Sequence, residues 1–318
     1  MVTKQRKTLQ EAIAMIHDGD SIALGGWTVS RTPVAACYEM IRQGKKDLRI
    51  ACGATGSCTD LLVAAGCISI SEAAWFGHEG AGPGYSFQRA VERNDGSFIQ
   101  SDETTTTVYL RLLAAAMNVP FLPSHCYKGS DIINPEYDTL RELRGKDPKI
   151  AKKKCVEMKD PFWEGHTVNL IPAARPDVSI IHVQEIGEGG TIRTQGPLFG
   201  DLLVAAAGKL TIVTAEKIVS EVYLRQNTAL NTIPGEFVDV IAEVPYGAHP
   251  GCCYGYHDVD KAFFKEMVAA EKEEDTFREW MKKWVLDVGD HDGYLQALGD
   301  TYLKPIGVDP AYGYNPEL

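Results

Sequence analysis

A chain of 318 residues with a net charge of −11, 44% hydrophobic and 24% charged, has the make-up of a globular protein able to bury a sizeable core. The negative balance excludes a nucleic-acid binder, because phosphates would meet no neutralising surface, and the densest basic run, Lys152–Lys154, reads as a solvated face. No window has the apolar length of a membrane span, and the basic N-terminus runs into a helix start instead of the apolar core of a signal peptide, so a cytoplasmic protein is expected.

Thr8-Leu-Gln-Glu11 has the form of a capping box, opening a helix whose apolar face is Leu9, Ile13 and Ile16. Asp18-Gly19 ends it. Ser21–Leu24 reads as a short buried strand, closed by Gly25-Gly26. A second helix is expected from Thr32 as cap and Pro33 in the first turn, with Gly44 stopping it. Leu48–Cys52 is the next strand, Gly53 and Gly56 lead into a short helix ending at Gly66, and Cys67–Phe76 is extended again. This alternation indicates an α/β fold: an open, mostly parallel sheet with helices on both faces. Gly77, Gly80, Gly82, Pro83 and Gly84 then make the most glycine-rich loop of the chain. Thr105–Met117 is a strong helix, stopped at Asn118 before Pro120. Around residues 124–165 the composition turns polar and charged with no strand signal, which predicts a small helical, polar insertion. The sheet is expected to resume at Val168–Ile171, Val178–Val183, Leu210–Thr214 and Phe237–Val244. Residues 259–300 read as C-terminal helices anchored by Trp280, Trp284 and Leu295, and the tail after Tyr302 as extended. Residues 1–318 are expected to form one domain.

The eight cysteines have no metal or disulfide spacing: Cys52, Cys58 and Cys67 are not C-x-x-C pairs, and Cys252–Cys253 are vicinal. Free thiols in a reducing compartment are expected, with no metal site and no tightly bound cofactor.

Chemistry concentrates where the first buried strand delivers Gly25-Gly26 to the sheet edge. Ligands of open α/β sheets collect beyond the carboxyl ends of the strands, and a following helix presents free N–H groups. For a Gly-Gly pair alone, a tight turn without a ligand is the favoured reading. The whole segment from Asp18 to Pro33 is more specific: an Asp-Gly pair, three aliphatics, Gly-Gly-aromatic and a helix-starting proline. It resembles the signature of the A-type subunit of family I CoA-transferases, with Trp27 where Phe is usual and Arg31 where many members have Gly. The arginine is similar to the glutaconate CoA-transferase branch. Pro120-Phe-Leu-Pro123 after Ala114–Ala116, Asp160-Pro-Phe162 before Pro176–Val178 and His182, and Pro245-Tyr-Gly-Ala-His-Pro250 before Tyr254-Gly-Tyr256 extend the resemblance over nearly the full length.

That resemblance implies a fold of the CoA-transferase (NagB/RpiA-like) type. It implies ping-pong transfer of CoA between an acyl-CoA and a small dicarboxylic acid, with acyl-CoA as substrate. A glutamate carboxylate attacks the thioester and expels CoA thiolate, leaving a mixed anhydride; the thiolate attacks the glutamyl carbonyl and releases the first acid; the second acid then takes the CoA. The nucleophile belongs to the B-type partner, in an A2B2 assembly. No copy of its Glu-Asn-Gly setting occurs here; the nearest is Glu79-Gly80. The alternative within this fold is a CoA-thioester hydrolase, ring-opening enzyme or decarboxylase whose partner lacks the nucleophile. In this chain His78 and Glu79 are acid–base candidates, against a reading as a solvated loop tip. Glu103 is a further candidate, although an acid at a helix start explains it better. Gly25, Gly26, Arg31, Gly80 and Gly82 are candidate substrate-binding residues. Arg31 could clamp the unreacted carboxylate of a dicarboxylic acid or serve as a structural salt bridge. Tyr246 and His249 lie in a Gly/Pro-rich loop of the kind that shapes sites.

Overall fold

The computed structural model describes residues 4–317. In chain order the elements are β1 (Gln5–Arg6), α1 (Leu9–Ile13), β2 (Ser21–Leu24), α2 (Val34–Arg42), β3 (Leu48–Ala51), α3 (Ser57–Ala64), β4 (Ile68–Ser71), α4 (Tyr85–Arg93), β5 (Ile99–Gln100), α5 (Thr105–Ala116) and β6 (Phe121–Ser124). They continue with β7 (Val156–Lys159), β8 (Thr167–Pro172), β9 (Val178–Gly187), β10 (Ile192–Arg193), α6 (Asp201–Ala207), β11 (Leu210–Val219), α7 (Glu221–Gln226), β12 (Val240–Glu243), α8 (Lys261–Glu271), α9 (Glu274–Met281) and α10 (His291–Leu303).

A nine-stranded sheet runs β1-β12-β11-β9-β2-β3-β4-β5, with β10 folded back on β9. Every pairing along this path is parallel, and only the β9–β10 pair is antiparallel. Period-two alternation feeds two separate cores. Ile180, Ile212, Val240 and Ala242 face a layer built on α1, α2, α3, α8, α9 and α10. Ile181, Val213 and Ile241, one residue on, face α5 and α6 through Val108, Leu112, Val204 and Ala205. Strands covered on both sides read as unbroken apolar runs, which is why these were legible as strands. The capping box is present: the Thr8 side chain accepts from the Glu11 amide, and the Glu11 carboxylate accepts from the Thr8 amide.

Several expectations need correction. Thr32 does not cap α2. Pro33 holds the cap position and, having no polar side-chain atom, makes no capping hydrogen bond; Thr32, one residue earlier, is buried. The extended stretch at Cys67–Phe76 shortens to Ile68–Ser71, where the Ser71 hydroxyl accepts from the Ala73 amide and turns the chain. The insertion is not helical: among the described residues of 124–165 there is no α-helix, only a 3-10 turn at Asp131–Ile133 and strand β7. With β6 and β8 this strand builds a separate three-stranded antiparallel sheet, so Val168–Ile171 belongs there and not to the main sheet. Strand β7 is exposed along its whole length, leaving no alternation to read. The helix α4 went unpredicted behind the glycine-rich loop.

Candidate functional site

The carboxyl ends of β2, β3, β4, β9, β11 and β12 lie on one edge of the sheet, and their loops interlock there. The Thr28 amide donates to Ala54 O, the Arg31 amide to Cys252 O and the Cys252 amide to Val29 O, at 2.5, 2.9 and 2.6 Å. Trp27 stacks on Phe199, with centroids 5.7 Å apart, and on Tyr109, at 6.4 Å. Five non-glycine residues on this crest, Thr28, Arg31, Glu79, Phe199 and Tyr246, have φ between 47° and 57°. Non-glycine residues in the left-handed region cost energy and gather at functional sites.

Gly25 and Gly26 are needed by the protein itself. A Cβ on Gly25 would stand 2.7 Å from Asp201 Oδ1 and 2.6 Å from Ile181 Cγ2; Gly26 has φ of 78°, and its Cβ would stand 2.5 Å from the Thr32 amide nitrogen. The pair therefore serves close approach by other parts of the chain. Arg31 is also turned inward: it is 1% exposed. Its Nη2 donates to Asp201 Oδ2 at 2.5 Å and to Pro197 O at 2.7 Å, and its Nη1 to Gln195 O at 3.3 Å. The other Asp201 oxygen accepts from the Gly26 amide at 2.7 Å. Burial pushes the Asp201 carboxyl above its usual range, and Arg31 pulls it back only in part. The carboxylate that Arg31 holds is thus the protein's own. The expectation that it clamps a substrate carboxylate is corrected, because a buried guanidinium already neutralised by Asp201 has no charge to spare.

The glycine-rich loop divides His78 from Glu79. His78 is buried, between Ser57 Oγ at 2.8 Å and Glu271 Oε2 at 2.6 Å. Glu79 is exposed with φ of 53° and has no hydrogen bond or ion pair among the described residues. Glu79 and Gly80 line a largely apolar cavity of about 730 Å³ with Val29, Tyr85, Phe264 and Lys265. The loops after β2 and β4 therefore share one hollow with α8. Gly80 is open around its Cα, whereas a Cβ on Gly82 would stand 2.8 Å from Val268 Cγ1. Glu103 lies apart from them, buried, accepting from the Thr107 hydroxyl at 2.9 Å and the Tyr127 hydroxyl and pairing with Arg111 at 3.3 Å. His249 is buried against Tyr294 at 2.6 Å and Asp260 at 3.2 Å, beneath the crest.

Glu216, on β11, escaped the sequence reading. Its Oε1 meets His182 Nε2 at 2.9 Å and His257 Nε2 at 3.1 Å, and its Oε2 accepts from the Tyr246 amide at 2.7 Å. Burial alone would raise its pKa, but the hydrogen bonds from His182 and His257 overcome this and hold the carboxyl well below its usual range. An acid within the apolar-flanked run of β11 gives no signal until the neighbouring strand places His182 beside it.

A crevice beyond the carboxyl ends of a doubly covered parallel sheet, walled by loops from several strands, is the site of an α/β enzyme acting on a small ligand. A family model described as Coenzyme A transferase matches residues 6–244, and the chain belongs to the coenzyme A transferase family. It is 37% identical over 313 residues to the A subunit of glutaconate CoA-transferase from Acidaminococcus fermentans, covering 98% of this chain and 97% of that one. The crystal structure of glutaconate coenzyme A-transferase from that organism matches with a TM-score of 0.92 over 98% of each chain. The A subunit of 3-oxoadipate CoA-transferase from Pseudomonas knackmussii is 31% identical over 92% of this chain and 98% of its own length. A crystal structure of a variant of the decarboxylase AibA/AibB is 30% identical with a TM-score of 0.72, covering 89% of this chain and 100% of that one. The α/β fold and the family read from the Asp18–Pro33 signature both stand.

Proposed function

We propose that this chain is the A-type component of a CoA-transferase that exchanges CoA between an acyl-CoA and a small dicarboxylic acid, and that a B-type partner supplies the nucleophilic glutamate. The observation that carries this reading is the similarity, along nearly the whole of both chains, to the A subunits of two CoA-transferases. The internal geometry supports it. Glu103, Asp201, Glu216 and Glu271 are buried and engaged with partners inside the chain, and Glu79 is the exposed acid at the cavity. A chain with no free nucleophile in the right setting needs one from outside. Leu198, Phe199, Leu202 and Tyr254, each 41–42% exposed, offer an apolar surface on the crest for such a partner, in an A2B2 assembly. No helix among the described residues is long and apolar enough to cross a membrane. All eight cysteines are free thiols, in keeping with a cytoplasmic location.

The purified chain alone should exchange no CoA between acids, and activity should appear on adding the B-type partner. Exchange by the chain alone would sink the reading. In the complex, Glu79→Gln should lower kcat roughly 10²- to 10⁴-fold, as loss of an acid–base group does. Its melting temperature should not change, because the side chain is exposed and unpaired. An unaltered kcat would make Glu79 a solvated loop residue. A decarboxylase reading is favoured by the AibA/AibB similarity. The partner's sequence decides between them: a glutamate in its nucleophile motif supports transfer, and its absence supports the alternative of a CoA-thioester hydrolase, ring-opening enzyme or decarboxylase.

A further inference from the structure

Beneath the glycine-rich loop, three residues far apart in the chain turn their donor atoms toward one point. Asp60 on α3, His78 in the loop and Glu271 at the end of α8 are all buried, and their ligand atoms lie within 4.8 Å of one another. His78 Nε2 stands 2.6 Å from Glu271 Oε2 and 3.6 Å from Asp60 Oδ2. We propose that Asp60, His78 and Glu271 form a binding site for a divalent transition-metal ion of the Zn2+ type.

Three features carry this. First, each ligand is held by a hydrogen bond on its far side: His78 Nδ1 meets Ser57 Oγ, Glu271 Oε1 accepts from the Ser86 amide, and Asp60 Oδ1 accepts from the Phe87 amide, all at 2.8 Å. Without an ion, the 2.6 Å contact has His78 Nε2–H donating to Glu271 Oε2; an ion would replace that proton, and Nδ1–H would then donate to Ser57 Oγ while the Nε2 lone pair points to the common centre, the outer-shell device that orients metal-binding histidines. Second, Asp60 Oδ2 is wholly buried and accepts no hydrogen bond, although it faces His78 Nε2. Leaving a buried carboxylate oxygen unmatched is costly. Third, the charge does not close. Two buried carboxylates face one imidazole, and the nearby Arg89 spends its guanidinium on Glu271 O and the Ser86 hydroxyl instead of on either carboxylate. Two carboxylates and a neutral imidazole are balanced by a doubly charged ion.

The donor set suits such an ion. Zn2+ takes imidazole nitrogen and carboxylate oxygen at about 2.0–2.2 Å, which puts tetrahedral ligands roughly 3.3–3.6 Å apart. The Asp60–His78 spacing of 3.6 Å already meets this, and Glu271, at 2.6 Å from His78, has to withdraw by about 0.7–1.0 Å to reach it. His78 also lines the 730 Å³ cavity, which gives an entry path. The ion would pin the glycine-rich loop to α3 and α8. Spacings of 18 and 193 residues between the ligands resemble no metal motif, so the sequence predicted none.

The test uses the full chain, stripped with chelator and titrated with Zn2+ by calorimetry and with Co2+ by absorbance. One equivalent should bind and raise the melting temperature. The Co2+ complex should give d–d bands without thiolate charge transfer, since the site has no cysteine. Asp60→Asn and His78→Gln, each checked for folding by circular dichroism, should weaken binding at least tenfold. Failure of the wild-type chain to bind either ion would overturn the proposal. Wild-type affinity in a folded variant of either kind, or a thiolate band placing the ion among the cysteines, would do the same.

Discussion

Replacing Arg31 by alanine should cost about 3–5 kcal/mol of folding stability, the usual penalty for removing one partner of a buried ion pair. Arg31 and Asp201 are 1% and 0% exposed, joined at 2.5 Å, and Asp201 also accepts from the Gly26 amide. Without the guanidinium, a carboxylate stays buried at the junction of the loop after β2 and the start of α6. Its pKa, already raised by burial, rises further. A folded-state pKa raised above the unfolded value means that the folded state binds the extra proton, so the variant loses stability as pH climbs from about 4. Arg31→Ala should therefore be more stable at pH 5 than at pH 7, a trend that urea unfolding at the two values reads directly. The pair Arg31→Met with Asp201→Leu should recover most of the loss, because apolar groups of similar volume leave no charge behind. In the active complex, the ratio of KM values for a dicarboxylic acid and acetate should be unchanged in whatever folded fraction remains. Wild-type stability together with a selective rise in the dicarboxylate KM would return Arg31 to the substrate.

The second large effect is expected at Glu216. Glu216→Ala removes a buried carboxylate that receives His182, His257 and the Tyr246 amide, and should also cost about 3–5 kcal/mol at pH 7. The pH signature has the opposite sign to that at Asp201. Burial would raise the Glu216 pKa, but hydrogen bonds from the two histidines outweigh it and hold the value well below its ordinary 4.5. A depressed folded-state pKa contributes stability that is present above the unfolded value and lost as pH falls through the acid range. The wild-type chain should therefore weaken progressively below about pH 4.5, and Glu216→Gln, which cannot titrate, should lose stability less steeply over that range. Other acids contribute to the wild-type slope. Among them is Asp177, which partial burial would raise but which Lys149 and Lys209 hold down to about 2. The difference between the two curves is the quantity to measure. Coincident slopes below pH 4.5 would refute a depressed pKa at Glu216.

What was legible from the sequence is what short-range physics writes into it. The capping box at Thr8 and Glu11, the glycine stop at Gly44, the apolar runs of β2, β9 and β11, and the motif from Asp18 to Pro33 are all contained within a few consecutive residues. They were enough to establish an open parallel α/β sheet and the coenzyme A transferase family. The site is a different matter, because its meaning lies in pairs that the chain separates. Arg31 meets Asp201 at a separation of 170 residues, His78 meets Glu271 at 193, and Glu216 meets His182 and His257 at 34 and 41. Periodicity and turn chemistry carry no information across such distances. An arginine on a strand-end loop reads the same whether it points into the crevice or into the protein. Only the tertiary structure decided that Arg31 points inward and Glu79 outward, since burial must be compensated by whichever opposite charge the fold brings near. The small sheet of β6, β7 and β8 was hidden for a related reason. Strand β7 buries none of its side chains, so it is held by the backbone ladder to β8 and one exposed hydrogen bond from the Thr167 hydroxyl to Glu157, neither of which apolar patterning can record.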